Sequence, residues 1–119
     1  MAVKDSFGVI REKYPKIFNE DFFFEHGVGW LPLIDTLCSE IQRRIDDFKG
    51  KIDQVVAVQV KSKFAGLRFY TVGGDEHTGR MIYLAESLSC EICEECGSRG
   101  KVRNSRGCLV NFCDSCYEN

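Results

Sequence analysis

The chain has 119 residues, 44% hydrophobic and 29% charged, with a net charge of -2 and a pI of about 5.7. That size suits one domain with a modest core, and the balance argues against the clustered basic surface on which general nucleic-acid binding relies. No apolar run approaches the ~20 residues that cross a bilayer, and the opening MAVKDSFGVIREKYP has no signal-peptide core because Lys4, Asp5 and Arg11 interrupt it; a cytoplasmic protein with no membrane role is expected.

Val3, Phe7, Ile10 and Tyr14 recur at helical steps, which predicts a short helix ended by Pro15. KIFNEDFFFEHGVGW follows without a helical period. It reads as a structured loop held down by Phe18 and some of Phe22, Phe23 and Phe24. Residues 31–49 give the strongest helix. Pro32 lies in its first turn, Ile34, Leu37, Cys38, Ile41, Ile45 and Phe48 form an apolar stripe, and Gly50 is a stop. VVAVQVKSKF and LRFYTV, separated by Ala65-Gly66, read as a β-hairpin whose Val58, Val60, Leu67 and Phe69 point inward. GGDEHTG is a predicted loop. MIYLAESLSCEI is a predicted helix with Ile82, Ala85, Leu88 or Ser89, and Ile92 on one side. KVRNSRGCLVNFC predicts two short strands about an Asn104–Gly107 turn. The fold class is therefore α+β: N-terminal helices packed on a hairpin, then a helix and a C-terminal zinc ribbon. Residues 1–89 form the core, and 90–119 a four-cysteine ribbon subdomain of the same compact unit.

The seven cysteines decide what the C-terminus is for. In a reducing compartment they argue for metal rather than disulfides. Cys93-x2-Cys96 and Cys113-x2-Cys116 are separated by sixteen residues, the spacing of a zinc ribbon. Gly97 relieves the tight backbone after Cys96, whereas Cys93 is followed by Glu94, so Cys90 has no glycine-bearing knuckle and is the spare thiol. Four thiolates close the coordination sphere of Zn2+, which makes the site structural. The rival is iron–sulfur. Cys90, Cys93 and Cys96 give C-x2-C-x2-C, but the run lacks the x3-Cys-Pro continuation of a ferredoxin. A redox dithiol is disfavoured because no βαβ pattern is legible. Cys38 and Cys108 read as small buried hydrophobes.

His26 and His77 lie in glycine-flanked loops, and no nucleophile elbow, HExxH, phosphate loop or paired carboxylates accompany them. The sequence therefore predicts no catalytic residue. Lys61, Lys63 and Arg68, interleaved with aromatics on the hairpin, and Arg99, Lys101, Arg103 and Arg106 on the ribbon are candidate nucleic-acid contacts. Glu91, Glu94, Glu95 and Asp114 partly cancel the ribbon's charge. Phe22, Phe23 and Phe24 cannot all point one way from an extended chain, so an exposed ring beside Trp30 is a candidate protein contact.

GVGWLPLIDTLCSEI, VQVKSKFAGLRFY, the LAESLS helix and CEECGSRG followed by CDSC together span roughly residues 27–116. In these stretches the chain resembles a family of small, uncharacterised proteins of bacteria, prophages and tailed phages. It departs from that family's pattern at Ser62, where an acidic residue is usual, at Ala65, where glycine is, and at Cys108, where an aromatic often stands. The resemblance implies no established activity. It implies a phage or mobile-element accessory setting. The expected function is a zinc-stabilised, non-enzymatic binding protein whose partner is a host protein or defence complex that it inhibits or redirects. The alternatives are a nucleic-acid-binding zinc ribbon and an iron–sulfur or redox protein.

Overall fold

The computed structural model describes residues 5–118. Helix α1 (Ser6–Lys13) is capped by Asp5, whose carboxylate accepts the Gly8 N–H at 2.7 Å. Val3 of the predicted first helix lies outside the described residues. The two-residue strand β1 (Phe24–Glu25) and a 3-10 turn (Val28–Trp30) lead into α2 (Leu31–Asp47). Strands β2 (Asp53–Lys63) and β3 (Gly66–Gly74) are followed by α3 (Glu76–Ser89), the hairpin β4 (Lys101–Ser105) and β5 (Cys108–Phe112), and the short α4 (Asp114–Glu118). The fold is α+β, with a sheet ordered β1-β2-β3 and a separate two-stranded ribbon.

β1 runs parallel to β2, with Phe24 opposite Val60, and α2 is the crossover between them. The chain thus holds a small βαβ unit that the sequence reading missed, because a two-residue strand carries no period. Neither CxxC pair lies in that unit. The segment read as a loop alternates from residue 22 to residue 26: Phe22, Phe24 and His26 are buried, and Phe23 and Glu25 are exposed. The hairpin turn is Phe64-Ala65, with φ of 53° and 66°. Paired left-handed residues match the right-handed twist of the strands.

Trp30, Phe18, Ile17, Ile34, Ile41, Leu67, Val55 and Val60 are almost wholly buried and fill the space between α2 and the inner face of the sheet. The α2 stripe is buried as expected from Ile34 to Ile45, but Phe48 is 45% exposed. The helix ends at Asp47, and the Phe48 ring turns outward beneath the Arg44 guanidinium at 4.6 Å. Val60, Leu67 and Phe69 face inward; Val58 does not. Ala57 pairs with Thr71 and Gln59 with Tyr70, so Val58 is the extra residue of a β-bulge. Val55 and Ala57 take the inner positions before it.

GGDEHTG is not a loop. Gly73 and Gly74 end β3, and Asp75 caps α3 in a reciprocal box with Thr78. His77 is therefore helical. At the other end of α3 the buried position is Ser89, and Leu88 is exposed. Ser89 and Glu86 accept the Leu67 and Phe69 N–H groups, each at 2.9 Å, and so satisfy the free edge of β3.

Candidate metal centre

The two knuckles are built differently. In the first, Cys93 follows α3 and the Cys90 cap, and its N–H donates to the Ser98 carbonyl at 2.7 Å. The Gly97 N–H donates to the Cys93 carbonyl at 2.9 Å, with Gly97 at φ +84°, the backbone a knuckle requires. In the second, Cys113 ends β5 and Cys116 lies on α4, where its N–H approaches the Cys113 sulfur at 3.5 Å. The β4–β5 hairpin joins them. Its Arg106-Gly107 turn has both φ positive, 52° and 88°, and the Asn104 side chain accepts the Gly107 N–H at 2.9 Å.

The result gathers the sulfurs of Cys93, Cys96, Cys113 and Cys116 within 4.8 Å of one another. Cys96 and Cys113 are 3.6 Å apart. A tetrahedral ion with metal–sulfur bonds of about 2.3 Å places its sulfurs ~3.8 Å apart. The cluster thus has the size of a metal site and the all-thiol donor set that zinc takes. No disulfide joins these cysteines. Hydrogen bonds from Ser98, side chain then backbone, pull the Cys96 thiol down to about 6, with Cys113 and Cys116 adding to it. Cys113 and Cys96 push the Cys116 thiol up. Sulfurs packed this closely cannot all ionise alone; a divalent cation among them removes the conflict.

No protein family, curated protein or solved structure matches this chain. The geometry therefore carries the functional reading.

The first knuckle is keyed to the core through Gly27–Trp30. The Gly27 N–H donates to the Glu94 carboxylate at 3.0 Å, the Gly29 N–H to the Glu94 carbonyl at 2.7 Å, and the Trp30 indole N–H to the Ile92 carbonyl at 2.9 Å. A Cβ on Gly29 would lie 2.2 Å from the Cys93 carbonyl oxygen, so only glycine lets the two backbones meet. From the other side, the Asn111 amide donates to the Cys90 carbonyl, and the Glu94 N–H donates to the Asn111 carbonyl at 2.9 Å. Asn111 is fully buried. Sequence reading missed it; an Asn between Val110 and Phe112 carries no spacing signal.

This docking overturns part of the expected protein contact. Trp30 is fully buried under the knuckle, and Phe22 and Phe24 belong to the core. Phe23, at 77% exposure, keeps the role open. His26 is not an ordinary loop residue either. It lies among the rings of Phe7, Phe24 and Trp30, with Nδ1 2.7 Å from the Gly27 carbonyl and Nε2 buried without a partner. Burial lowers its pKa from 6.5.

The spare cysteines divide. Cys38 is buried, and burial pushes its thiol up. Cys108 is exposed, against expectation, because it pairs with Ser105 beside the ribbon turn, where nothing covers it. Cys90 is also exposed, and lines an open cavity of about 480 Å³ with Cys113, Arg99 and Lys101.

The candidate nucleic-acid contacts fall into two sets. On the hairpin, Lys61 pairs with Arg68 across the strands, and Lys63 lies 5.4 Å from the Phe64 ring. On the ribbon, Arg103 bonds Asp114 and lies 4.6 Å over Tyr117, Lys101 reaches Asp114 at 3.4 Å, and Arg99 is 4.0 Å from Glu91. Arg106 occupies the turn. A divalent ion on four thiolates leaves a net charge of -2. These cations thus have a local counter-charge in the ribbon's own carboxylates, and the knuckle would add to it with a divalent ion bound.

No described helix is long and apolar enough to cross a membrane.

Proposed function

We propose that this chain is a cytoplasmic, zinc-stabilised, non-enzymatic binding protein. The carrying observation is the closed cluster of Cys93, Cys96, Cys113 and Cys116. Four thiolates fill the zinc sphere and leave no position for a water or substrate, so the ion is a scaffold. Its job is to close the ribbon and present the first knuckle to Gly27–Trp30. The resemblance to phage and prophage accessory proteins supports a setting in which the partner is a host protein or defence complex that this chain inhibits or redirects.

The pairing of Lys101 and Arg103 with Asp114 ranks protein binding above nucleic-acid binding. Metal content and the absorption spectrum of protein purified anaerobically without added metal test the site. One zinc per chain and no visible colour is the expected result. Iron with sulfide and a brown colour would overturn it in favour of the iron–sulfur reading. A mobility shift on single- or double-stranded DNA that weakens steeply with salt would move the function to nucleic acid.

A further inference from the structure

The sheet has one covered face and one bare face. On the inner face Val55, Ala57, Val60, Leu67 and Phe69 are buried. A sheet with one solvated face ordinarily turns polar residues outward. Here the outer face carries Phe23 at 77% exposure, Val58 at 60% and Val72 at 57%, with Tyr70 and Val56 also exposed. They are contiguous. Val56 and Val72 are opposite in register, Tyr70 pairs with Gln59 beside the Val58 bulge, and Phe23 and Val58 line one open cavity of about 810 Å³. Apolar side chains grouped this way on a solvent face mark an interaction surface. The bulge contributes directly, because it turns Val58 out where an unbroken strand would turn it in.

The cavity beside Phe23 identifies the occupant. Its charged residues are Glu20, Asp21 and Glu25, and among the described residues no cation lines it. Among the described residues no salt bridge engages Glu20 or Asp21. Glu25 accepts a neutral hydrogen bond from Gln59 at 2.8 Å and, among the described residues, forms no salt bridge. The whole chain carries -2. An apolar floor with an unpaired acidic margin is complementary to an aliphatic surface bordered by Lys or Arg. Lys61 lies opposite Arg68 on one side and in register with Glu25 on the other, so the acids of this margin left without a cation among the described residues are Glu20 and Asp21.

We infer that the outer face of the β1-β2-β3 sheet docks a protein partner through an aliphatic segment flanked by Lys or Arg, with the basic residues seated at Glu20 and Asp21. The inference rests on the binding-protein reading and gives that reading a surface.

A photo-crosslinking phenylalanine placed singly at Phe23, Tyr70, Tyr83 and Val102 in the full, metal-loaded chain, expressed in its own host, tests it. The last two positions are exposed on α3 and on the ribbon. The expected result is adducts at positions 23 and 70 to one protein, mapped by mass spectrometry to an aliphatic segment bordered by Lys or Arg. Combining Glu20→Lys with Asp21→Lys should lower their yield at least tenfold, with metal content and Trp30 emission unchanged. Adducts only at 83 or 102 would overturn this surface and leave the binding-protein reading standing. Adducts to a second copy of the chain, to nucleic acid, or to a segment without basic flanks would overturn the stated occupant. Unreduced yield in the charge-reversed protein would do the same. No adduct at any position would count against both readings.

Discussion

The two parts of this molecule differ sharply in how much apolar surface they bury. From α1 to α3, Trp30, Phe18, Ile17, Ile34, Ile41 and Leu67 are essentially removed from water, and apolar burial supplies the stability. From Cys90 onward, among the described residues, only Cys93 and Asn111 are fully buried, and Val102, Leu109 and Tyr117 are exposed. A segment that short, with almost no apolar interior, does not fold on burial alone. In the proposed reading a metal on the four sulfurs does what a core does elsewhere. The contrast shows why Gly29 matters more than its size suggests: its N–H joins the core to the ribbon at the Glu94 carbonyl, by a backbone hydrogen bond rather than by packing, while Asn111 ties β5 to the first knuckle within the ribbon.

The largest break of the contrast is removal of a ligand. Cys113→Ser should abolish stoichiometric zinc and cost the ribbon metal-binding free energy on the order of 10 kcal/mol. Far-UV circular dichroism should keep the signal of α2, α3 and the sheet. Loss of the whole signal would mean that the core depends on the ribbon.

Next come matched truncations. Phe18→Ala in the core should cost about 3–5 kcal/mol in urea unfolding, whereas Leu109→Ala on the exposed ribbon should change stability by less than about 0.5 kcal/mol. Equal costs would erase the distinction between the two parts.

Gly29→Ala probes the joint itself. Its Cβ has no room against the Cys93 carbonyl, so a cost of about 1–3 kcal/mol is expected. Zinc affinity should fall at least tenfold, and emission from Trp30, the only tryptophan, should shift to the red as its indole leaves the Ile92 carbonyl. Unchanged affinity and emission would show that the knuckle does not lean on this segment.

The smallest effect is the pH dependence of His26. Burial lowers its folded-state pKa below 6.5, so the unfolded chain takes up the proton first. Stability from this group is full above pH 6.5 and is lost as pH falls below it toward the folded-state value. His26→Gln should flatten the urea midpoint between pH 7 and 6 with zinc held saturating. An unchanged slope would assign the dependence to another group.

The parts of the fold with strong periods were legible in the sequence. The α2 stripe from Ile34 to Ile45, the two long strands and the ribbon hairpin all repeat at helical or strand spacing, and the Cys-x2-Cys pairs carry their own geometry. Where a local device broke the period, the reading slipped. A bulge reversed Val58, and a helix end freed Phe48. The box formed by Asp75 and Thr78 started α3 inside an apparent glycine loop. The fate of Trp30 was not legible, because its partner, the Ile92 carbonyl, lies sixty-two residues away. Nor was it legible which of three consecutive phenylalanines faces solvent. That depends on the pairing of Phe24 with Val60, a long-range register with only two residues to announce it.

The most direct test of the account is amide hydrogen exchange on the metal-loaded chain before and after chelation. Residues 92–116 should lose their protection, Gly27 and Gly29 should lose theirs in part, and α2 with the β2–β3 ladder should stay protected. Protection of the ribbon that survives chelation, or core protection that collapses with it, would contradict the division between a metal-held ribbon and a burial-held core.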